Sequence, residues 1–463
     1  MKMKFQIIIE YDGNRVVEEL GCLQRGDLLP ESLGITLREG KELLANVQKS
    51  MVEYQIEEYI HHQSRCPSCH TRRSLKDMKK ITFRTLFGKM ELQSPRFRTC
   101  TCQPQAKKSF SPLSERLPER TAPEFLYLQS KWSSLMSYGL SVDLLNEVLP
   151  LDVGKASVFM NTHKIAERIE AELGDENVFY IEGCQRDWEK LPRPDPPLTV
   201  GIDGGYVRAR DGENRKAGNF EVIVGKSIQE EGETKRFALV HGYDEKPKRR
   251  VFDMLKAQGL QMNQNIEFIS DGGETVRNLQ LYLSPQAEHL LDWFHVTMRL
   301  TVMKQMSKGL PDKKEAKDIE KNIERIKWYL WHGNVYRALQ EIEEIIFDLE
   351  AMDINLPNNK KIGKLLKVIN EFNVYISNNR ELIPNYGERY RYGETISTAF
   401  VESTVNEIIS RRMVKKQQMR WTKKGAHFLL QVRTKTLNNE LKDKFHDWYP
   451  GMVHTDSELQ KAA

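Results

Sequence analysis

Leu198-Thr-Val-Gly-Ile-Asp203-Gly-Gly205 and Ile266-Glu-Phe-Ile-Ser-Asp271-Gly-Gly273 repeat one pattern: a short, largely apolar run, an aspartate, then two glycines. A bounded apolar run of this length reads as a buried strand. An acid at its end projects into the crevice at the strand's carboxyl end, where open sheets place their sites. The glycines that follow let a bulky ligand approach the backbone. Asp-Gly is also a common turn, and either aspartate alone is readable that way; the repetition favours a site. Carboxylates placed so suit hard divalent cations, which keep positions open for water and phosphate. Two such ions can activate the attacking oxygen of a phosphodiester reaction and stabilise the leaving one.

Working outward, Leu198–Ile202, Phe220–Ile228 and Phe237–His241 read as strands, followed by a basic helix over 247–258. Ile266–Ser270 and His289–Phe294 are further strands, with helices over Glu274–Leu283 and 296–308. Three strands in meander and then alternating strand and helix predict an α/β fold with one mixed sheet. Residues 311–392 carry no strand signal and read as a charged all-α insertion, in which Trp328, Tyr329, Trp331 and Tyr336 cluster and the first three read as its core rather than as a base-stacking platform. A helix over 398–413 then brings in a third acid, Glu402, and a basic tail runs to about 436.

Toward the N-terminus, KFQIIIE (4–10) and NRVVEEL (14–20) flank Asp12-Gly13, a hairpin signal. A helix follows over Leu37–His61. Cys66-Pro-Ser-Cys69 and Cys100-Thr-Cys102 lie about 30 residues apart, with two strands expected between them around Gly88. Paired cysteines on two knuckles supply the four thiolates of a closed, structural zinc site, and His70 could replace one of them. The segment between is rich in Arg and Lys, among them Arg72, Arg73, Lys79 and Lys80. That excess is either a footprint for phosphates or a solvated face. Ser141–Leu149 and Lys155–Leu173 around 150–154 read as helix, turn, helix, and the prolines of 192–197 as a linker.

The chain of 463 residues suits several domains. With 39% hydrophobic and 29% charged residues it is too apolar for general disorder. Its net charge is only +5, from 70 Lys plus Arg against 65 Asp plus Glu, so charge placement matters more than the total. No apolar run approaches the roughly 18 residues of a membrane span. The basic N-terminus lacks a secretory apolar core. Four of six cysteines crowd into 66–102, which points to metal in a reducing compartment. A cytoplasmic, membrane-free protein is expected.

The pieces GIDGGYVRAR (201–210), FISDGGETVRNLQLYLSPQAEHLLDWFHVTMRL (268–300), FVESTVNEIISRRM (400–413) and QMRWTKKGAHFLLQVR (418–433) occur in this order. Together they resemble an insertion-sequence transposase of the ISKra type, over about residues 198–436 and more loosely over the cysteine segment. The resemblance implies an RNase H-like fold with an Asp-Asp-Glu triad: Asp203, Asp271 and Glu402, holding Mg²⁺ or Mn²⁺. Glu407 lies close enough to compete for the third place. Asp292-Trp-Phe-His295 matches a signature that follows the second acid in related transposases, and gives His295 a place beside the site. The domains expected are a hairpin and helix (1–62), a zinc ribbon (63–120), a helical DNA-binding region (121–190), a catalytic domain in two parts (198–310 and 396–440) around the insertion (311–395), and a tail (441–463). Arg208, Arg210, Arg215 and Lys216 follow the first acid. Arg411, Arg412, Lys415, Lys416, Arg420, Lys423 and Lys424 follow the last, with Trp421 among them as a stacking platform or a packing residue. The implied function is a DNA transposase that binds terminal inverted repeats and target DNA, cleaves, and transfers strands as a homodimer or larger assembly, in the bacterial cytoplasm on the nucleoid. The alternative is a domesticated, non-catalytic, zinc-containing DNA-binding protein.

Overall fold

The computed structural model describes residues 1–11, 14–103, 108–177, 180, 184–192, 197–210, 218–228, 233–273, 276, 279, 287–355, 359–414 and 419–452. The chain forms two compact units, residues 1–165 with 439–463, and residues 166–438. No helix among the described residues is long and apolar enough to cross a membrane.

In the first unit, β1 (Lys2–Tyr11) and β2 (Asn14–Gln24) form a two-stranded antiparallel sheet. Its turn, Asp12-Gly13, lies outside the described residues. Helix α1 (Leu37–Gln63) starts at a capping box: the Thr36 hydroxyl accepts from the Glu39 N–H, and the Glu39 carboxylate accepts from the Thr36 N–H. A three-stranded sheet follows, β3 (Leu75–Thr85), β4 (Gly88–Arg98) and β5 (Ser109–Phe110). Its buried core is Ile81, Leu92 and Leu113, the last from α2 (Pro112–Arg116), with Val52, Ile56 and Tyr59 of α1 packed against it. Helices α3 (Pro123–Leu135), α4 (Tyr138–Val148) and α5 (Lys155–Glu172) come next, α5 running across the boundary between units. A short helix, α6 (Gln185–Trp188), lies in the second unit.

The second unit is built on a five-stranded mixed sheet: β6 (Leu198–Arg208), β7 (Asn219–Ile228), β8 (Lys235–Val240), β9 (Ile266–Ser270) and β10 (Glu288–Leu291). The order across the sheet is β10-β9-β6-β7-β8, with β6, β7 and β8 antiparallel neighbours and β9 and β10 parallel to β6. One face of the sheet presents Val200, Ile202, Ile223 and Leu239 to Val251, Phe252 and Leu255 of α7 (Pro247–Ala257). The helix expected over Glu274–Leu283 falls mostly outside the described residues. Helices α8 (Trp293–Ser307), α9 (Lys313–Trp331), α10 (Val335–Asn355), α11 (Lys360–Asn378) and α12 (Tyr386–Arg391) share one apolar core. Ile319, Ile323, Ile326 and Leu330 follow the helical spacing that sequence reading uses, and all are buried. The aromatic cluster departs from expectation. Trp331 stacks with Trp293 and Tyr390, but Trp328 is 59% and Tyr336 69% exposed, so neither belongs to the core.

The late helix is two helices in continuity. Helix α13 (Ala399–Val405) is α-helical, and Asn406–Val414 is a π-helix. Helix α14 (Lys423–Leu437) closes the unit, with Thr422 accepting from the Gly425 N–H as its cap. The segment expected as a tail instead begins with α15 (Leu441–Trp448), which buries Leu441 and Phe445 and sets Phe445 edge-on to Tyr127 of α3.

Candidate active site and metal centre

The sheet register places three aspartates in one row. Gly201 pairs with Ile269 in parallel, so Asp203 and Asp271, each two residues on, occupy equivalent positions on adjacent strands. Leu291 pairs with Ser270, and the Asp292 N–H donates to the Ser270 carbonyl (2.8 Å), which sets Asp292 beside Asp271. Neighbouring strands are spaced about 4.8 Å apart, so the three acids form a row across β10, β9 and β6 at the level where β9 and β10 end. The sequence pattern ends the first strand at Ile202; in the structure β6 continues through Asp203 to Arg208, because antiparallel pairing with β7 outlasts the parallel pairing with β9. Asp203 thus sits mid-strand, at the point where the shorter β9 stops.

The electrostatics of the row are those of crowded carboxylates. Burial pushes the Asp203 carboxyl above its usual range, and the charges of Asp271 and Asp292 add to the rise; the Gly204 N–H and His295 oppose it. Asp292 is fully buried and is held below the usual range in spite of that burial, through bonds from His295, Thr398 and the Phe294 N–H. It caps α8, accepting from the Phe294 N–H at 2.8 Å and from the Thr398 N–H at 3.1 Å, with the Thr398 hydroxyl on its other oxygen. His295 sets Nδ1 2.8 Å from Asp292, and that contact raises its pKa above the ordinary histidine value. With Nδ1 committed, Nε2 is the nitrogen left to face a ligand.

The helical insertion reaches the row as well. The Tyr375 hydroxyl donates to the Asp271 carbonyl at 3.0 Å, with the Arg299 guanidinium over its ring. Gly272 has φ +80, and a Cβ there would meet Asn379 Oδ1 at 2.4 Å, so the residue after Asp271 has to be glycine. Thr398, Tyr375 and Asn379 escape sequence reading. Each acts from far along the chain, and nothing in its local pattern marks it.

Gly201, Asp203 and Gly205 share one face of β6, since side chains alternate along a strand. Both glycines are covered. A Cβ on Gly201 would lie 2.2 Å from Val401 Cγ2 and 2.7 Å from Phe400, and one on Gly205 would lie 2.6 Å from Ile409 Cδ1. Val401, Ile408 and Ile409 are buried and Val405 is partly buried, with Val401, Val405 and Ile409 lying over β6. The absence of side chains at 201 and 205 therefore lets α13 and the π-helix pass flush on either side of Asp203. Glu402 follows Val401 on that helix and is exposed. Glu407 is engaged elsewhere: its carboxylate takes Arg236 Nε at 3.1 Å, and its carbonyl accepts from Arg433. From Asn406 on the turns are π, so the angle of about 140° that α geometry sets between Glu402 and Glu407 does not hold. Gly201→Ala is expected to destabilise the unit by about 1–3 kcal/mol, as overpacking does. Chemical denaturation measures this, and an unchanged midpoint would show that the helix does not lie flush here.

The basic residues divide by exposure. Arg72, Lys79, Lys80, Arg411, Arg420, Lys423 and Lys424 are exposed. Lys80 pairs with Glu91 at 3.3 Å and Lys424 with Glu167 at 3.8 Å. Arg73 is half-buried: its guanidinium lies over the Phe110 ring at 4.5 Å and donates to the Gln63 carbonyl, which ties it into the ribbon. Two residues of the expected DNA track are corrected. Arg412 is 0% exposed and Trp421 4%, with the guanidinium 5.2 Å from the indole centre. Trp421 is further fixed to β6, its N–H donating to the Arg208 carbonyl and its carbonyl accepting from the Arg210 N–H. Burial turns the pair into a packing contact and removes it from any DNA surface. Arg208 and Arg210 are exposed, while Arg215, Lys216, Lys415 and Lys416 lie outside the described residues.

In the first unit the ligand atoms of Cys66, Cys69, Cys100 and Cys102 lie within 4.8 Å of one another. Cys66–Cys102 and Cys69–Cys102 sulfurs are 3.5 Å apart, and Cys69–Cys100 3.3 Å. A disulfide needs about 2.05 Å. Four sulfurs at about 2.3 Å from a tetrahedral zinc are about 3.8 Å apart, close to what is seen. Backbone N–H groups of Cys69 and Ser68 hold the Cys66 thiol below its ordinary pKa. The Thr71 hydroxyl and N–H bring Cys69 down to about 6, while the neighbouring cysteine sulfurs, Cys100 first, push Cys102 up to about 12. His70 is not in the set. It takes the left-handed position of the knuckle (φ 58), its N–H donating to the Cys66 carbonyl.

Among the described residues one other group converges as closely, Glu170, Asp244 and His427. Arg250 already fills its centre, bonded to Asp244 at 2.7 Å and Glu170 at 3.0 Å, so a guanidinium sits where a cation would. Asp203, Asp271 and Glu402 do not form a further group of this tightness. Ligands on opposite sides of two ions about 3.5–4 Å apart need not.

No protein-family model matches the chain, and no curated protein matches it. Among solved structures, it is similar to the Drosophila P element transposase strand transfer complex at 10% identity, over 72% of this chain and 84% of that one, with a TM-score of 0.22. A crystal structure of NurA is similar at 12% identity over 56% and 74%, with a TM-score of 0.11. Both scores are too low to establish a shared fold, and the family of the chain is not shown by these comparisons.

Proposed function

We propose that the chain is a DNA transposase, with Asp203, Asp271 and Glu402 as the acids that hold its catalytic Mg²⁺ or Mn²⁺. The observation that carries this reading is the row of Asp203, Asp271 and Asp292 across adjacent parallel strands, with the helix that bears Glu402 packed over Gly201 of β6. The strand order supports an RNase H-like fold: the first strand is central, antiparallel to the second and parallel to the fourth. The donor set fits a hard cation, because buried carboxylates that raise one another's pKa gain most from a divalent ion. Such ions would supply electrostatic stabilisation to the attacking and leaving oxygens of phosphodiester cleavage and strand transfer. Asp203 and Asp271 bind from the strands, and Glu402 binds from the helix above. His295, its Nδ1 held by Asp292, presents Nε2 to a phosphate oxygen. The four cysteines hold a structural Zn²⁺ in the ribbon that, with the helices after it, recognises terminal inverted repeats. The test is metal-dependent cleavage of duplex DNA carrying the sequence that flanks the gene. Binding without cleavage, with all acids intact, would favour the domesticated DNA-binding protein instead.

Glu402→Gln is expected to remove cleavage, whereas Glu407→Gln should keep it and lose stability, because Arg236 loses its partner. Cleavage abolished by Glu407→Gln and spared by Glu402→Gln would reverse the assignment.

Exposed cations after the last acid would follow the DNA backbone. Each phosphate neutralised contributes about −0.9 to the slope of log K against log salt. Replacing Arg420, Lys423 and Lys424 with Ala should flatten that slope by up to about 3. An unchanged slope would make them an ordinary solvated face.

A further inference from the structure

Strand β1 pairs with β2 on one edge, and among the described residues no strand covers the other. Uncovered edges invite pairing with another chain, and proteins that avoid it interrupt the edge with bulges, prolines or inward charges. The hairpin's irregularity lies on the β2 side: Phe5 pairs with Gly21 and Gln6 with Glu19, so the extra residue, Leu20, belongs to β2. β1 itself runs unbroken, without proline, over KMKFQIIIEY. A two-stranded sheet alone is marginal in water, and three or more strands give it independent stability.

The sequence of β1 is complementary to itself. Laid antiparallel against a second copy about a two-fold axis at Gln6, Lys2 faces Glu10, Lys4 faces Ile8, and Gln6 faces Gln6. On the other, half-buried face Met3 meets Ile9 and Phe5 meets Ile7. Opposite charges thus meet at both ends of one face, with the Lys4 stem over Ile8 between them, and apolar side chains meet on the other; Glu10, 3.7 Å from Arg15 within its own hairpin, is shared between the two cations. The intramolecular Lys4–Glu19 pair at 2.8 Å is left intact. Ile8, 51% exposed, gains a cover.

We infer that β1 is a homodimerisation strand, joining the hairpins of two copies into one four-stranded antiparallel sheet with an isologous two-fold interface. The inference deepens the assembly part of the transposase reading, which requires two DNA ends to be paired, and it rests on that reading for its purpose alone.

Analytical ultracentrifugation of the full chain without DNA should show a dimer. Lys2→Glu or Glu10→Lys turns two symmetric attractions into repulsions and should weaken the dimer about tenfold. Lys2→Glu/Glu10→Lys together should restore it, which a folding defect could not do. With Cys22 and Cys184 replaced by Ser, Gln6→Cys should form an intermolecular disulfide under mild oxidation. Lys4→Cys should not, because its two copies lie about 14 Å apart in this register. A monomeric wild type, a dimer indifferent to the charge reversals, or no link through Gln6→Cys overturns the inference. These readouts need neither DNA nor cleavage. A dimeric but inactive chain would sink the transposase reading alone, and an active monomer would sink this one.

Discussion

Asp271→Asn is expected to abolish metal-dependent DNA cleavage, by at least about 10²–10³-fold, the scale on which losing a single preorganised electrostatic group tells. The substitution keeps the shape of the side chain. Its Oδ1 accepts the Gly273 N–H at 2.9 Å, and an amide oxygen can do the same, so the Asx turn after β9 survives. What disappears is the charge. The Asp271 carboxylate helps push Asp203 above the ordinary carboxylate range, and without it Asp203 should titrate lower. The row would have lost one ligand to the proposed ions. A thermal melt that stays at the wild-type midpoint separates the loss of this ligand from a general loss of fold, which would also expose Asp203 and lower its pKa. Single-turnover cleavage, binding by fluorescence anisotropy and a thermal melt, taken together, check this. Cleavage by the Asp271→Asn variant at near wild-type rate would remove Asp271 from the reacting centre.

Sequence reading finds the aspartate row because it is written locally: an apolar run, an acid and two glycines, twice. The reason for those glycines is different from the one the pattern suggests. At Gly201 and Gly205 the close neighbour is the chain's own helix, through Val401 and Ile409, and only Gly272 answers to a backbone conformation. A helix arriving about 200 residues later leaves no local trace on β6 beyond the missing side chains. The same distance hides Thr398 behind Asp292 and Tyr375 behind Asp271. Trp421 shows the converse limit. Interleaved among cations it reads equally as a platform or as packing, and the pairing of residues 208–210 with 421 decides for packing. The π-helix is a further case, because its apolar positions fit α spacing well enough to conceal the change of turn.

The second large effect lies in the ribbon. Cys66→Ser, or a strong chelator, is expected to unfold residues 63–120 and to release the zinc proposed to sit there. The physical ground is the size of the core. Its apolar cluster buries Ile81, Leu92 and Leu113, with a fringe of partly buried residues around them. At about 1.5–3 kcal/mol for each side chain, these contribute well under the conformational entropy of ordering strands of this length. A structural zinc contributes about 10–16 kcal/mol of apparent binding free energy in small finger domains, and there binding and folding are one event. Cys66 is the buried member of the four, with two backbone N–H groups aimed at its sulfur, so serine leaves those donors facing a weaker acceptor as well as an incomplete site. Elemental analysis should find one zinc per wild-type chain and none in the variant, with limited proteolysis opening the segment between the cysteine pairs. β1 and β2 lie outside this core, so dimerisation through β1 should survive the substitution while binding to DNA ends is lost. Wild-type protein that is folded and free of zinc would end the proposal, and the 3.3–3.5 Å sulfur spacings would then need another cause.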